Sequence, residues 1–188
     1  MNSVIDAIIS RRAVRTFADK QIASEDLELI LKCAQYAPSG MNRQANQFTV
    51  LSGSRILDEF LSEVKKDIEE SDSEFWKSRA KNPNFNFFYK APTFVIVSSN
   101  PEANALTPAE DAAVAIENMM IAAKSLGISS CWIHTLCMIG AASNTRRFLE
   151  QYGLPQSHKI YGSVALGYNS STEPSAHSIV GNKIVFAK

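Results

Sequence analysis

Apolar positions recur at three- and four-residue intervals along much of the chain and run unbroken in a few short stretches, so helices alternate with strands. Val4, Ile5, Ile8 and Ile9 predict a first amphipathic helix running into Arg11. Leu27, Ile30, Leu31 and Ala34 predict a second, with Ser24 as N-cap, Glu25 and Asp26 in its first turn, and Pro38 as its stop. Phe48–Leu51 reads as a short strand; Ser54 then caps a helix carrying Leu57, Leu61, Val64 and Ile68. Phe94–Val97 is apolar throughout and predicts a strand covered on both faces. Thr107-Pro108-Ala109-Glu110 has the composition of a capping box, and the helix it opens runs to Gly127. Its residues are apolar nearly all round, so it is expected to be buried, and its small residues suit a homodimer seam. Ser130–Leu136 and Ile160–Leu166 predict two more strands, with a helix over Arg146–Tyr152 between them. Gly162, inside the last strand, marks a close approach by a ligand or neighbouring backbone. Asn169–Ser178 is polar and turn-rich; Ile179-Val180 and Ile184-Val185-Phe186 suggest a terminal strand.

Residues 69–86 break the pattern, with Phe75, Trp76 and Phe85 unevenly spaced among charges. Such a segment either packs its aromatics on the core as a partly helical excursion or forms a lid over a pocket. The chain has 188 residues and no internal repeat, so a single domain over 1–188 is expected. Nineteen basic and nineteen acidic residues cancel, and no basic-aromatic stripe is present. Nucleic acid and anionic membrane surfaces are therefore not expected partners. Three cysteines without framework spacing, and an opening Met1–Asp6 without a basic-then-apolar leader pattern, point to a reducing, cytoplasmic setting.

With the net charge at zero, any anion site must be local, and Arg11-Arg12-Ala13-Val14-Arg15-Thr16-Phe17 supplies one. Guanidinium groups present planar forks of donors that match a phosphate. The alternative is a solvated basic helix end resting on the negative pole of its own dipole. Ala37-Pro38-Ser39-Gly40-Met41-Asn42-Arg43-Gln44 forms a second notable loop. Cys131-x-x-His134-x-x-Cys137 invites a metal reading, but on a strand His134 faces away from both cysteines, so no metal site is expected. Neither a Gly-x-Gly-x-x-Gly nor a Walker loop is present.

The arginine run and the Pro38 loop, followed in order by Phe88–Pro92, Ala115–Met120, Gly127–Ile133 and Gly162–Tyr168, resemble the FMN-dependent nitroreductase family over nearly the whole chain. The resemblance implies an α+β fold in which helices flank a central mixed, largely antiparallel sheet, and a homodimer whose C-terminal segment extends onto the partner. It also implies FMN as cofactor and NAD(P)H as donor. Hydride passes through flavin N5 to a nitroaromatic, quinone or similar acceptor by a ping-pong scheme, with no catalytic side chain required. A sensor or flavin store on the same scaffold, without turnover, is the alternative.

By the same resemblance Arg11, Arg12 and Arg15 hold the ribityl phosphate or hydroxyls. Pro38, Ser39 and Asn42 contact the flavin from the second subunit. Asn84 matches a residue that binds the pyrimidine edge, and Ile133, His134 and Thr135 lie beside the ring. Three departures bear on affinity. Ala13 stands where the family has Ser, Ala45-Asn46 where it often has Pro-Trp, and Lys183 is the nearest cation to an expected C-terminal arginine.

Overall fold

The computed structural model describes residues 2–103, 106–139, 142–172, 174–175, 180–181 and 184–187. Four strands form one sheet among these residues: β1 (Asn46–Ser52), β2 (Thr93–Ser99), β3 (Ser129–Ile133) and β4 (Lys159–Gly167). Their order is β1-β2-β4-β3, with every neighbouring pair antiparallel. Among the described residues the one parallel pairing is an isolated bridge between Ala13 and Ser130, which lays the arginine segment against the edge strand β3.

Side chains alternate across a strand, so β1, β2 and β4 each feed two cores, whereas edge strand β3 feeds one. Phe94 and Ile96 of β2, Leu51 of β1 and Cys131 and Ile133 of β3 enter one cluster. They meet α3 (Ser54–Glu70), α6 (Thr135–Ile139) and α7 (Ser143–Gln151) there. Phe60 of α3 lies at its centre, with four phenylalanine rings, Phe87, Phe88, Phe94 and Phe148, at 5.7–6.4 Å. Val95 and Val97 of β2 and Val164 and Leu166 of β4 face the other way, onto α2 (Ser24–Gln35) and α5 (Pro108–Ser125). All seven residues of β2 are buried, as a strand covered on both faces requires. The sheet is thus the middle of three layers.

Segment 69–86 forms a short helix, α4 (Glu74–Ala80), capped by the Ser73 hydroxyl. Trp76 and Phe85 pack on the first cluster, whereas Phe75 stays exposed beneath the Arg79 guanidinium. Helix α1 (Ser3–Ser10) buries only Ala7 and leaves Val4, Ile5, Ile8 and Ile9 between 49% and 59% exposed.

Several expected details change. Ala23 and Gly53, not Ser24 and Ser54, occupy the N-cap positions; each serine is the first helical residue. Thr107 does cap α5 by position but makes no side-chain cap bond, because its hydroxyl is turned onto the backbone of Gly40, where no Cβ would fit. Strand β3 stops at Ile133 rather than Leu136: the amides of Cys137 and Met138 donate back to the His134 carbonyl and start α6. The strand premise used against a Cys-His-Cys metal site therefore fails; among the described residues no cluster of three His, Cys, Asp or Glu is placed to hold a metal. The space at Gly162 is filled by Ile116 and Trp132 side chains, not by a ligand or backbone. Helix α5 is not wholly buried, since Val114 faces out. Val180 and Ile184–Phe186 form no strand and are exposed. The edges of the sheet are β1 and β3, and the described residues of this tail pair with neither. Ile179 and Lys183 lie outside the described residues.

Candidate functional site

The arginine segment leaves α1 at Arg11, whose amide closes the helix on the Ala7 carbonyl at 3.0 Å. Extended backbone follows: Ala13 bridges to Ser130, and the Val14 amide donates to the Ser130 carbonyl at 3.0 Å. Phe17 then crosses to Asn169 beyond the end of β4. The segment is thereby fixed at three points, which makes its side chains a set rather than a frayed helix end.

The three arginines do different things. Arg12 folds back, its Nη1 donating to the carbonyls of Ile9 and Arg11 at 2.7 Å each, so part of it serves the helix end, as the solvated-end alternative requires. Its Nε is buried with no hydrogen-bond partner among the described residues. Arg11 Nε is likewise buried and without a hydrogen bond; the nearest carboxylate oxygen is Glu117 Oε1 on α5, at 3.7 Å. Arg15 is exposed. Burial pushes the Cys131 thiol pKa up, and the charges of Arg15 and Arg11 pull partly against that, so both cations lie near the middle of β3. Orphaned buried N–H donors of two neighbouring guanidinium groups are costly unless an acceptor meets them. An anionic oxygen fits this chemistry.

At the far end of β3, roughly 10 Å from Ser130 at the strand rise, lie Ile133, His134 and Thr135. Ser163 on β4 donates its buried hydroxyl to the Ile133 carbonyl at 2.8 Å and pins that end. His134 is exposed and Thr135 half-buried.

Pro38, Ser39 and Asn42 sit apart from this edge, lining a cavity of about 680 Å³ with Tyr36, Asn46 and Phe48. Their loop is tightly held. The Gly40 amide donates to Asp111 Oδ1 at 3.0 Å, Asn46 Nδ2 to the Asp111 carbonyl at 2.9 Å, and Arg43 to the Ala103 carbonyl at 2.9 Å. Met41, Asn42 and Gln44 all have φ between 51° and 54°, a left-handed conformation that L residues rarely adopt without being held. On α5 the loop is anchored at Asp111 and Arg11 at Glu117, six residues and roughly 9 Å on, about 120° round the helix. Within one chain the two groups therefore face different ways. Asn84 lines a third place, a cavity of about 670 Å³ with Phe17, Asn86 and Lys90. Lys183 lies outside the described residues.

Three residues with a part here escaped the sequence reading. Glu117 carried a signal, a lone acid in the apolar run Ala115–Met120; Asp111 and Ser163 carried none, since their partners are 71 and 30 residues away.

Known proteins share this α+β scaffold. A Bacteroides fragilis nitroreductase crystallised with bound FMN superposes with a TM-score of 0.93, at 36% identity and with both chains covered in full. The FMN reductase [NAD(P)H] of Bacillus subtilis is 30% identical over 83% of this chain and 61% of its own length. The 4-nitrobenzoate reductase of a Nocardioides strain is 27% identical over 91% and 83%. The nitroreductase family model matches residues 8–168, and the chain belongs to the nitroreductase family.

Proposed function

We propose that this protein is an FMN-dependent oxidoreductase that takes electrons from NADH or NADPH and passes them to small electron-poor acceptors such as nitroaromatics and quinones. The pair of buried, unpartnered Nε–H groups on Arg11 and Arg12 carries the reading. FMN, when bound, supplies the hydride and electron transfer through its ring. The chain's residues hold and orient it. Arg11, Arg15 and the free edge of Arg12 take the phosphate, with Ala13 contributing only backbone. Ile133, His134 and Thr135 flank the ring, and the Ser163 hydroxyl keeps that strand end in place. Asn84 reaches the pyrimidine edge, and Lys183 adds charge from the tail. No side chain is assigned an acid or base role. The chain works as one domain, with 69–86 shaping acceptor choice, and in the cytoplasm, in keeping with its three free cysteines.

The working unit is a homodimer. Pro38, Ser39 and Asn42 face away from their own chain's arginines, so a second subunit brings them to the flavin. The open apolar stripe of Val4, Ile5, Ile8 and Ile9 supports this, since a monomer gains nothing by exposing it. The exposed apolar tail at Ile184–Phe186 suits a segment laid on the partner. Ile5→Lys with Ile9→Lys is expected to shift the protein to monomer in sedimentation and to release its flavin. A double variant that stays dimeric would remove α1 from the interface.

The deciding experiment is the visible spectrum of purified protein before and after anaerobic NADH or NADPH. A yellow protein bleached by the nicotinamide and recoloured by a quinone is expected. Persistent colour would instead favour a flavin store, and a colourless protein that FMN does not reconstitute would end the flavin reading.

A further inference from the structure

The arginine cluster carries its own anion. Glu117 projects from the middle of α5 toward Arg11, with Oε1 3.7 Å from Nε. That is close enough for strong attraction between charges but too long for a hydrogen bond, and Nε keeps its donor unused. Of three cations within five residues, Arg11 is the one that meets this carboxylate, so the pair relieves part of the cluster's self-repulsion without saturating its donors. Arg11 is about a quarter exposed and Glu117 is 44% exposed, so the carboxylate can swing into water at little cost. Either anion can compensate Arg11, but only a phosphate can also take up the orphaned N–H donors.

We propose that Glu117 is a resident counter-anion of the arginine cluster, which a phosphate monoester displaces from Arg11, and that it thereby sets how tightly a phosphorylated ligand is held. The proposal rests on the reading of the cluster as the FMN phosphate site. Glu117 acts through Arg11 and is a positioning residue. Without ligand it lowers the free energy of the unliganded protein; with a phosphate bound, its charge opposes the ligand. Both effects weaken binding. Neutralising the side chain therefore improves affinity, an outcome that general damage to the fold does not produce.

The test is Glu117→Gln, titrated as flavin-free full-length protein with FMN and with riboflavin, which lacks the phosphate. FMN is expected to bind about two- to fivefold more tightly to the variant, and riboflavin unchanged, because a partly exposed ion pair is worth up to about fivefold at low salt. The FMN gain should shrink in 0.5 M salt, a concentration at which screening reaches only about 4 Å. The variant's melting temperature should be lower without FMN, and the rise on adding FMN larger. Arg11→Ala serves as the control for the underlying reading. If it weakens FMN while Glu117→Gln leaves FMN unchanged or weaker, the counter-anion role falls and the phosphate site stands. If Arg11→Ala has no effect on FMN, both fall. An equal gain for riboflavin would also overturn the proposal, since the carboxylate would then be acting on something other than phosphate.

Discussion

Arg11→Ala combined with Arg15→Ala is expected to raise the FMN dissociation constant by about two to four orders of magnitude. Each charge-assisted contact contributes about 1.5–3 kcal/mol, and 1.4 kcal/mol is tenfold. Arg12 keeps its own free edge for the phosphate but cannot replace the two lost guanidinium groups, because its Nη1 is committed to the carbonyls of Ile9 and Arg11. Riboflavin affinity should change little, which separates loss of the phosphate contact from collapse of the fold. Fluorescence titration with both flavins measures the contrast. Unchanged FMN affinity in the double variant would remove the arginine segment from the site.

Asp67→Ala is expected to cost about 3–5 kcal/mol of stability, by leaving the buried Thr145 amide and two half-buried Asn144 N–H groups without their acceptor. Helix α7 begins at Ser143 without a local side-chain cap. Asp67, on α3, supplies one from 77 residues away. Its Oδ1 accepts from the Asn144 amide at 3.0 Å and from Asn144 Nδ2 at 2.9 Å, and its Oδ2 from the Thr145 amide at 2.8 Å. A negative charge there also meets the positive pole of α7. For a chain of this length the loss amounts to a fall of about 10 °C or more in melting temperature.

The same carboxylate gives a pH dependence of defined sign. Burial pushes its pKa up, but hydrogen bonds from Thr145 and Asn144 outweigh burial, and the net value lies below the ordinary 3.8. A group depressed in the folded state binds its proton more readily when unfolded. Its contribution is therefore complete above about pH 4 and is lost as pH falls through the folded value. Wild type and Asp67→Asn should thus differ most in melting temperature near neutrality and converge on acidification. A gap that widens below pH 4 would contradict the assignment.

What could be read in advance was whatever acts within a few residues. The stripe Leu27–Ala34, the unbroken Phe94–Val97 and the Pro108 start of α5 each lie where local periodicity puts them. The arginine run suggested an anion site because three guanidinium groups so close together attract negative charge. Resemblance to a family carried the rest of the candidate site. Local pattern failed where a distant group intervened: the Thr107 hydroxyl lies against Gly40 without a hydrogen bond instead of capping its helix, and Ile116 filled the space at Gly162.

By itself the sequence determined the alternation of helices and strands, the burial of β2 on both faces, and a local concentration of positive charge, because periodicity and charge density are properties of neighbouring residues. Only the tertiary structure decided which arginine is spent on a helix end, which faces Glu117, and that the Pro38 loop turns away from both. The last two depend on distant elements meeting on α5, and contacts across about 70 to more than 100 residues leave no mark in local pattern. Arg12 folds onto carbonyls one and three residues away, a choice of rotamer that periodicity does not encode.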